Sequence, residues 1–179
     1  MVRGCRKEVS THPDMSPCNQ QVLREALREV QPDLIVEIGV GSRLANSSTG
    51  VWIKEKPRLC YYIGMDKDNR SGFQNPTSRV FMLKGDSGDI QPFQELIDRL
   101  KIKPVIDILF IDGHHSVSQC IKDWEYTRYL SAEGVVILHD TNYHPGPRAL
   151  LEAVDPSRFR VDRRCSNKDD WGITVLHQV

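Results

Sequence analysis

No stretch of this chain stays apolar and uncharged for long enough to cross a membrane or to act as a secretory leader, and the first residues already carry Arg3, Arg6, Lys7 and Glu8. Neither sign of charge is in excess. Lysine plus arginine and aspartate plus glutamate number 24 each, so no overall field draws the chain to nucleic acid or to an anionic membrane; a small, roughly neutral partner is the simpler expectation. Pairs of the Cys-x-x-Cys kind are absent. The five cysteines, Cys5, Cys18, Cys60, Cys120 and Cys165, are odd in number and scattered, which argues against a metal cage and for reduced, mostly structural thiols. Internal repeats and low-complexity tracts are missing as well. What remains is the expectation of a cytoplasmic protein of 179 residues, with a loose arm over residues 1–15 and a single domain over 16–179, large enough to bury a full core.

What the chain does contain is a series of apolar runs, each ending in residues with chemistry to offer. Leu34 to Ser42 reads Leu-Ile-Val-Glu-Ile-Gly-Val-Gly-Ser: a branched run suited to a buried parallel strand, then Gly39 and Gly41, which permit a tight turn and close approach of a ligand to the backbone. A dinucleotide fingerprint would place a third small residue three positions on, to pack the helix against the strand; Leu44 stands there instead and is expected to hold the helix away. A second run, Pro57 to Met65, ends at Asp66, placed to accept ribose hydroxyls or to stand as a solvated loop acid. A third, Arg79 to Leu83, ends in Gly85-Asp86-Ser87, where Asp86 suits either a ligand or the cap of the next helix. Val105 to Ile111 leads into Asp112-Gly113-His114-His115-Ser116, and Gly134 to Leu138 into His139-Asp140-Thr141.

Helical stripes alternate with these runs. Val22, Leu23, Ala26, Leu27 and Val30 repeat at helical spacing after Ser16-Pro17 and stop at Gln31-Pro32. Residues 46–54 form a weaker stripe diluted by Gly50; Phe93, Leu96, Ile97 and Leu100 form another, then Val117, Cys120, Ile121 and Trp124, and Arg148 to Val154 begins a short last helix. Phe159 to Val161 and Ile173 to Leu176 read as a final hairpin on a sheet edge, with Arg158, Arg160, Arg163 and Arg164 as charge on an exposed strand. The alternation predicts an α/β fold: a doubly wound, mostly parallel, Rossmann-like sheet of about seven strands with helices on both faces. In such a sheet ligands sit beyond the carboxyl ends of the strands, where Gly39, Gly41, Asp66, Asp86, Asp112, His139 and Asp140 all fall.

Glu37, two residues before the first glycine, resembles the acid of class I S-adenosylmethionine (SAM)-dependent methyltransferases. The text Ile-Asp-Gly-x-His-Ser and then Gly-Val-Val-Ile-Leu-His-Asp-Thr resembles the small-molecule O-methyltransferases whose relatives include proteins labelled cephalosporin hydroxylases, over roughly Pro32 to His144. The resemblance implies SAM as cofactor, held by Glu37, Gly39, Gly41, Ser42, Asp66, Asp86, Ser87 and Asp112, with Asp66 at the ribose and Asp86 near the adenine. By likeness to catechol-type enzymes it also implies a divalent cation at Asp112, His139 and Asp140. The chain departs from that pattern at His139, where the family has an acid, and imidazole suits zinc, manganese or iron better than magnesium. The competing expectation is a core histidine at 139 and an Asp140 that bonds the following Thr-Asn turn.

His115 stands where the catechol-type enzymes carry a lysine, and with Asp112 is the candidate catalytic pair: a histidine there can take a hydroxyl proton near neutral pH, or else stack on the cofactor. His114 is expected to face outward and His144 to line the acceptor pocket. The implied function is O-methylation of a small metabolite. The alternatives are a metal-dependent oxygenase or hydrolase on the same fold, or a non-catalytic SAM-binding partner. A homodimer is one arrangement that would close an open acceptor face.

Overall fold

In the computed structural model, described over residues 15–179, the chain forms a seven-stranded sheet flanked by five α-helices. The expected arm therefore lies, apart from Met15, outside the described residues. Helix α1 (Pro17–Val30) starts where Ser16 accepts the Asn19 amide at 3.2 Å and ends at Gln31, whose left-handed backbone (φ 51°) turns the chain into Pro32. Strand β1 (Leu34–Ile38) is buried along its whole length because it runs through the middle of the sheet, parallel to β2 (Tyr61–Asp66) on one side and β4 (Ile106–Ile111) on the other. Strands β3 (Val80–Lys84), β5 (Leu130–His139), β6 (Phe159–Arg164) and β7 (Ile173–Gln178) complete the order β3-β2-β1-β4-β5-β7-β6, with β7 antiparallel to both of its neighbours. This is the doubly wound, mostly parallel fold that the alternation predicts.

Helices α1 and α2 (Ser48–Glu55) cover one face, where Leu23, Leu27, Trp52 and Phe110 meet. Helices α3 (Gln91–Leu100), α4 (Val117–Trp124) and α5 (Pro145–Ala153) cover the other, around Phe93, Ile97, Tyr126 and Leu150. The chain order reverses between β1 and β4, so the connections leaving these two strands diverge and open a crevice at their carboxyl ends. Gly39 sits at the lip with φ 88°, and a Cβ there would fall 2.1 Å from the Asp112 carbonyl oxygen. Only glycine lets the two loops pass this closely.

The structure departs from expectation in several places. Strand β5 begins at Leu130, ahead of Gly134: Leu130 pairs with Ile106, and the register then shifts before Ile108, so the polar Ser131 to Glu133 segment carries no alternation to read. Helix α5 begins at Pro145, where two prolines suit a first turn and Gly146 passes close to the His115 carbonyl. Gly50, in the first turn of α2, packs on the backbone of Leu44 in the loop before it. Asp86 caps no helix, since the residue before α3 is Ile90.

The expectation of reduced thiols is corrected. Cys18 and Cys165 form a disulfide across a separation of 147 residues, with their Cα atoms 6.0 Å apart, because the fold lays the first turn of α1 beside the end of β6. Cys60 and Cys120 are free and buried. The disulfide removes reduced cysteines as a reason to assign the cytoplasm. No helix among the described residues is long and apolar enough to cross a membrane. Of the four arginines expected on an exposed strand, Arg158 precedes β6, the sheet edge, while Arg160 and Arg163 are exposed on it and Arg164 bonds Glu25 at 2.7 Å.

Candidate functional site

A cavity of about 1090 Å³ lies over the carboxyl ends of β1, β2, β4 and β5. Gly39, Gly41, Ser42, Asp66, Asp86 and Ser87 line it together with Asp112, His115, His139 and Asp140. Met15 also reaches this cavity and is tied in by its amide, which donates to the Asn46 carbonyl at 2.8 Å.

Glu37 is placed beneath the cavity floor, fully buried and off its wall. Thr49 Oγ1 donates to its Oε2 at 2.8 Å, Tyr62 donates to the same oxygen, and the Gly41 amide donates to Thr49 Oγ1 at 3.1 Å. Glu37 therefore reaches the glycine turn through Thr49. Burial raises its carboxyl to about 7, outweighing the opposing hydrogen bonds from Ser48, Tyr62 and Thr49.

Asp66 closes the end of β2. Its Oδ2 accepts the Val40 amide at 3.0 Å and its Oδ1 the Asp68 amide at 2.7 Å, while Arg70 Nε lies 3.5 Å away and donates to the Val40 carbonyl at 3.1 Å. Asp86 is the more open acid: Oδ1 accepts from the Gly88 amide at 2.8 Å and Gln119 Nε2 at 3.1 Å. Ser87 Oγ donates to Asp123 Oδ1 at 2.6 Å. Asp123 was not legible in the sequence as part of this region. It is buried on α4, with Oδ2 unpartnered and its carboxyl raised by burial.

At the carboxyl ends of β4 and β5, Asp112, His139 and Asp140 converge. His139 Nδ1 lies 3.2 Å from Asp112 Oδ1 and 3.0 Å from Asp140 Oδ1, and the candidate ligand atoms of all three lie within 4.8 Å of one another. Asp140 has a left-handed backbone (φ 58°), and its carboxylate faces imidazoles instead of bonding the Thr-Asn turn. Its other oxygen, Oδ2, is 3.0 Å from His115 Nε2 and 3.8 Å from His144 Nε2, so this one carboxylate serves two clusters. His115 also stands 3.6 Å from Asp112 Oδ1.

Burial lowers both imidazoles, but the hydrogen bonds and charges of Asp112 and Asp140 outweigh it, raising His115 to about 9 and His139 to about 10. Burial would raise Asp140, yet the two histidines hold it well below the usual carboxylate range. Two carboxylates thus retain two protons on their neighbours. A divalent cation would displace such protons, and the mixed oxygen and nitrogen donor set suits manganese, iron or zinc better than magnesium.

His144 lines the cavity, stacked between His115 (ring centroids 4.1 Å apart) and Trp171 (5.6 Å). Trp171 was missed because it arrives from beyond β6. Asn19 was missed too: its amide Nδ2 lies 2.9 Å from His139 Nε2. One signal was present, since Asn19 is a polar residue on the buried stripe of α1 that continues through Val22, Leu23 and Ala26.

The chain matches no protein-family model and no curated protein. Among solved structures it resembles the MycE methyltransferase of the mycinamycin biosynthetic pathway in complex with Mg, SAH and mycinamycin VI (TM-score 0.64, 16% identity, covering 88% of this chain and 48% of that one). It also resembles CalS11, a TDP-rhamnose 3'-O-methyltransferase of calicheamicin biosynthesis (0.65, 17%, 88% and 77%). A third is an O-methyltransferase from Bacillus cereus in complex with SAH (0.65, 17%, 92% and 83%). The chain spans about half the length of the MycE protein. At these identities the likeness is one of fold, and the fold is the one these methyltransferases use.

Proposed function

We propose that this protein is a SAM-dependent methyltransferase acting on an oxygen of a small metabolite with the help of a divalent cation. One observation carries the reading: a single cavity joins a glycine-lined strand end to a cluster of two carboxylates and two imidazoles. The methyl donor would lie along the glycine turn, its ribose at Asp66, its adenine toward Asp86 and Ser87, and Gly39, Gly41, Ser42 and Asp112 around the remainder, with Glu37 bracing the turn from below. Asp112, His139 and Asp140 would hold the cation. When bound, these groups supply an electrophilic methyl on a sulfonium and a charge that acidifies a nearby hydroxyl.

The chain's own residues do the rest. Near neutrality His115 is protonated, because Asp112 and Asp140 pull on it. With that carboxylate charge offset, its imidazole returns toward the ordinary histidine range and takes the acceptor's proton at Nε2. The Gly146 amide donates to the His115 carbonyl at 3.0 Å and fixes the base from the start of α5. Trp171 lines the His144 side of the cavity, stacked on that imidazole and packed edge to face with Tyr143. Calorimetric titration with S-adenosylhomocysteine, with and without Mn²⁺, tests the reading. Binding of both ligands is expected, and a folded protein that ignores S-adenosylhomocysteine would overturn it.

A second reading has its own observation. His115, His144 and Asp140 make a group of two histidines and one carboxylate within 4.8 Å, the composition of a non-haem iron oxygenase. Against it, His115 and His144 are stacked only 25° from parallel, so their in-plane lone pairs do not point at one ion. An oxygenase of this type has no need of S-adenosylhomocysteine, so the same titration separates the two.

A further inference from the structure

One contact to the cation cluster comes from the opposite end of the chain. Asn19, in the first turn of α1, is 1% exposed; its Nδ2 lies 2.9 Å from His139 Nε2 and its Oδ1 has no partner. In this orientation the amide faces Nε2 with its donor, which fits only a ring bare at Nε2 with its proton on Nδ1, between Asp112 and Asp140. A cation at Nδ1 requires the reverse: Nδ1 bare, Nε2 protonated, and an acceptor facing Nε2. Half a turn of the Asn19 amide supplies that acceptor and gives the solitary Oδ1 its donor.

The turn that carries Asn19 is fastened beside the site. Ser16 Oγ donates to Asp170 Oδ2 at 2.7 Å, and Cys18, exposed to solvent, is bonded to Cys165. Asn142 Nδ2 donates to the carbonyls of Cys165, Asn167 and Asp170, shaping the segment that delivers Trp171 onto His144. One covalent bond therefore joins the turn behind His139 to the segment in front of His144.

We propose that Asn19 is a positioning residue that fixes the metal-binding tautomer of His139, and that the Cys18–Cys165 disulfide holds it in place, making cation affinity depend on the thiol state of the protein. The inference rests on the cation reading given above. Reduction by a dithiol breaks the S–S bond, adds two electrons and two protons to give two cysteine thiols, and leaves the reductant as its own disulfide. The first turn of α1 then keeps only non-covalent links to the site, and Asn19 no longer has a fixed distance to Nε2.

Mn²⁺ titration of the wild type, Asn19→Leu, Asn19→Asp and a Cys18→Ser, Cys165→Ser double variant tests the proposal, with thermal melting and S-adenosylhomocysteine affinity measured in parallel. Asn19→Leu is expected to weaken Mn²⁺ by about 10 to 100-fold, while Asn19→Asp, whose carboxylate accepts the same proton, restores it. The double serine variant is expected to lose about ten-fold in Mn²⁺ affinity and to keep its S-adenosylhomocysteine affinity. Imidazole ¹⁵N spectra of wild type loaded with Zn²⁺ should show His139 protonated at Nε2, a readout that holds even where Asn19→Leu does not fold. A proton retained on Nδ1 in that spectrum, or Mn²⁺ bound equally well by Asn19→Leu, overturns the positioning role. Unchanged affinity in the double serine variant overturns the redox link. Wild type that binds no cation removes the cation reading itself, a result distinct from either.

Discussion

The carbonyl oxygen of Leu44 lies 1.8 Å from the point where a Cβ on Gly50 would stand. The loop after the glycines can rest on the first turn of α2 only because residue 50 has no side chain. Gly50→Ala should gain a little helix propensity and lose more to the displaced loop, for a net destabilisation of about 1–3 kcal/mol. Chemical denaturation reads the loss directly. Weaker S-adenosylhomocysteine binding should accompany it, because Thr49, next in the chain, holds the Gly41 amide.

Asp66 binds the Val40 amide and faces the cavity at once. Hydrogen bonds to a charged carboxylate contribute about 1.5–3 kcal/mol. Asp66→Ala should therefore weaken S-adenosylhomocysteine by about ten-fold or more in a protein that still folds. Equal affinity by calorimetry would remove Asp66 from the ligand's contacts.

Burial lifts Glu37 from an ordinary 4.5 to about 7. A carboxyl whose folded value is raised holds its proton more tightly in the folded state, so its contribution to stability is full below the unfolded value and is lost as pH rises through the folded one. At about 1.36 kcal/mol per unit, the loss amounts to roughly 3 kcal/mol. Glu37→Gln still offers Thr49 and Tyr62 an acceptor and cannot ionise. Relative to wild type its stability should rise between about pH 5 and pH 8, and a flat difference across that window in urea titrations would show that Glu37 stays ionised when buried.

Chelation should abolish methyl transfer while S-adenosylhomocysteine still binds, because Gly39, Gly41 and Asp66 would contact the donor without the cation. His115→Ala should lower kcat more than it raises KM, the mark of an interaction made chiefly in the transition state. Full turnover in chelator would leave Asp112 and His115 as a metal-free pair and require a more acidic hydroxyl, such as a phenol.

The alternation of strands and helices, the glycine turn and the acids at the strand ends were legible because each is written locally. An apolar run marks a buried strand, its end marks the crevice, and α/β alternation forces parallel crossovers. Asp66, Asp86, Asp112, His139 and Asp140 reach one cavity for that reason alone. The chemistry around them follows no local rule. Glu37, expected at the ligand, lies off the cavity wall because its strand runs through the core, with Oε2 bonded to Tyr62 and Thr49.

Likewise, helical periodicity shows that Asn19 is on a buried stripe, but only the packing of α1 against the sheet puts it on His139. Cys18 and Cys165 looked unrelated at a separation of 147 residues and are bonded because that packing brings their Cα atoms to 6.0 Å. The sequence alone determined the architecture and the residues at its functional rim. Which of those residues face a ligand, which brace them from behind, and which cysteines join was decided by long-range packing, whose geometry depends on every side chain between the contacting pair and is encoded in no single stretch of the chain.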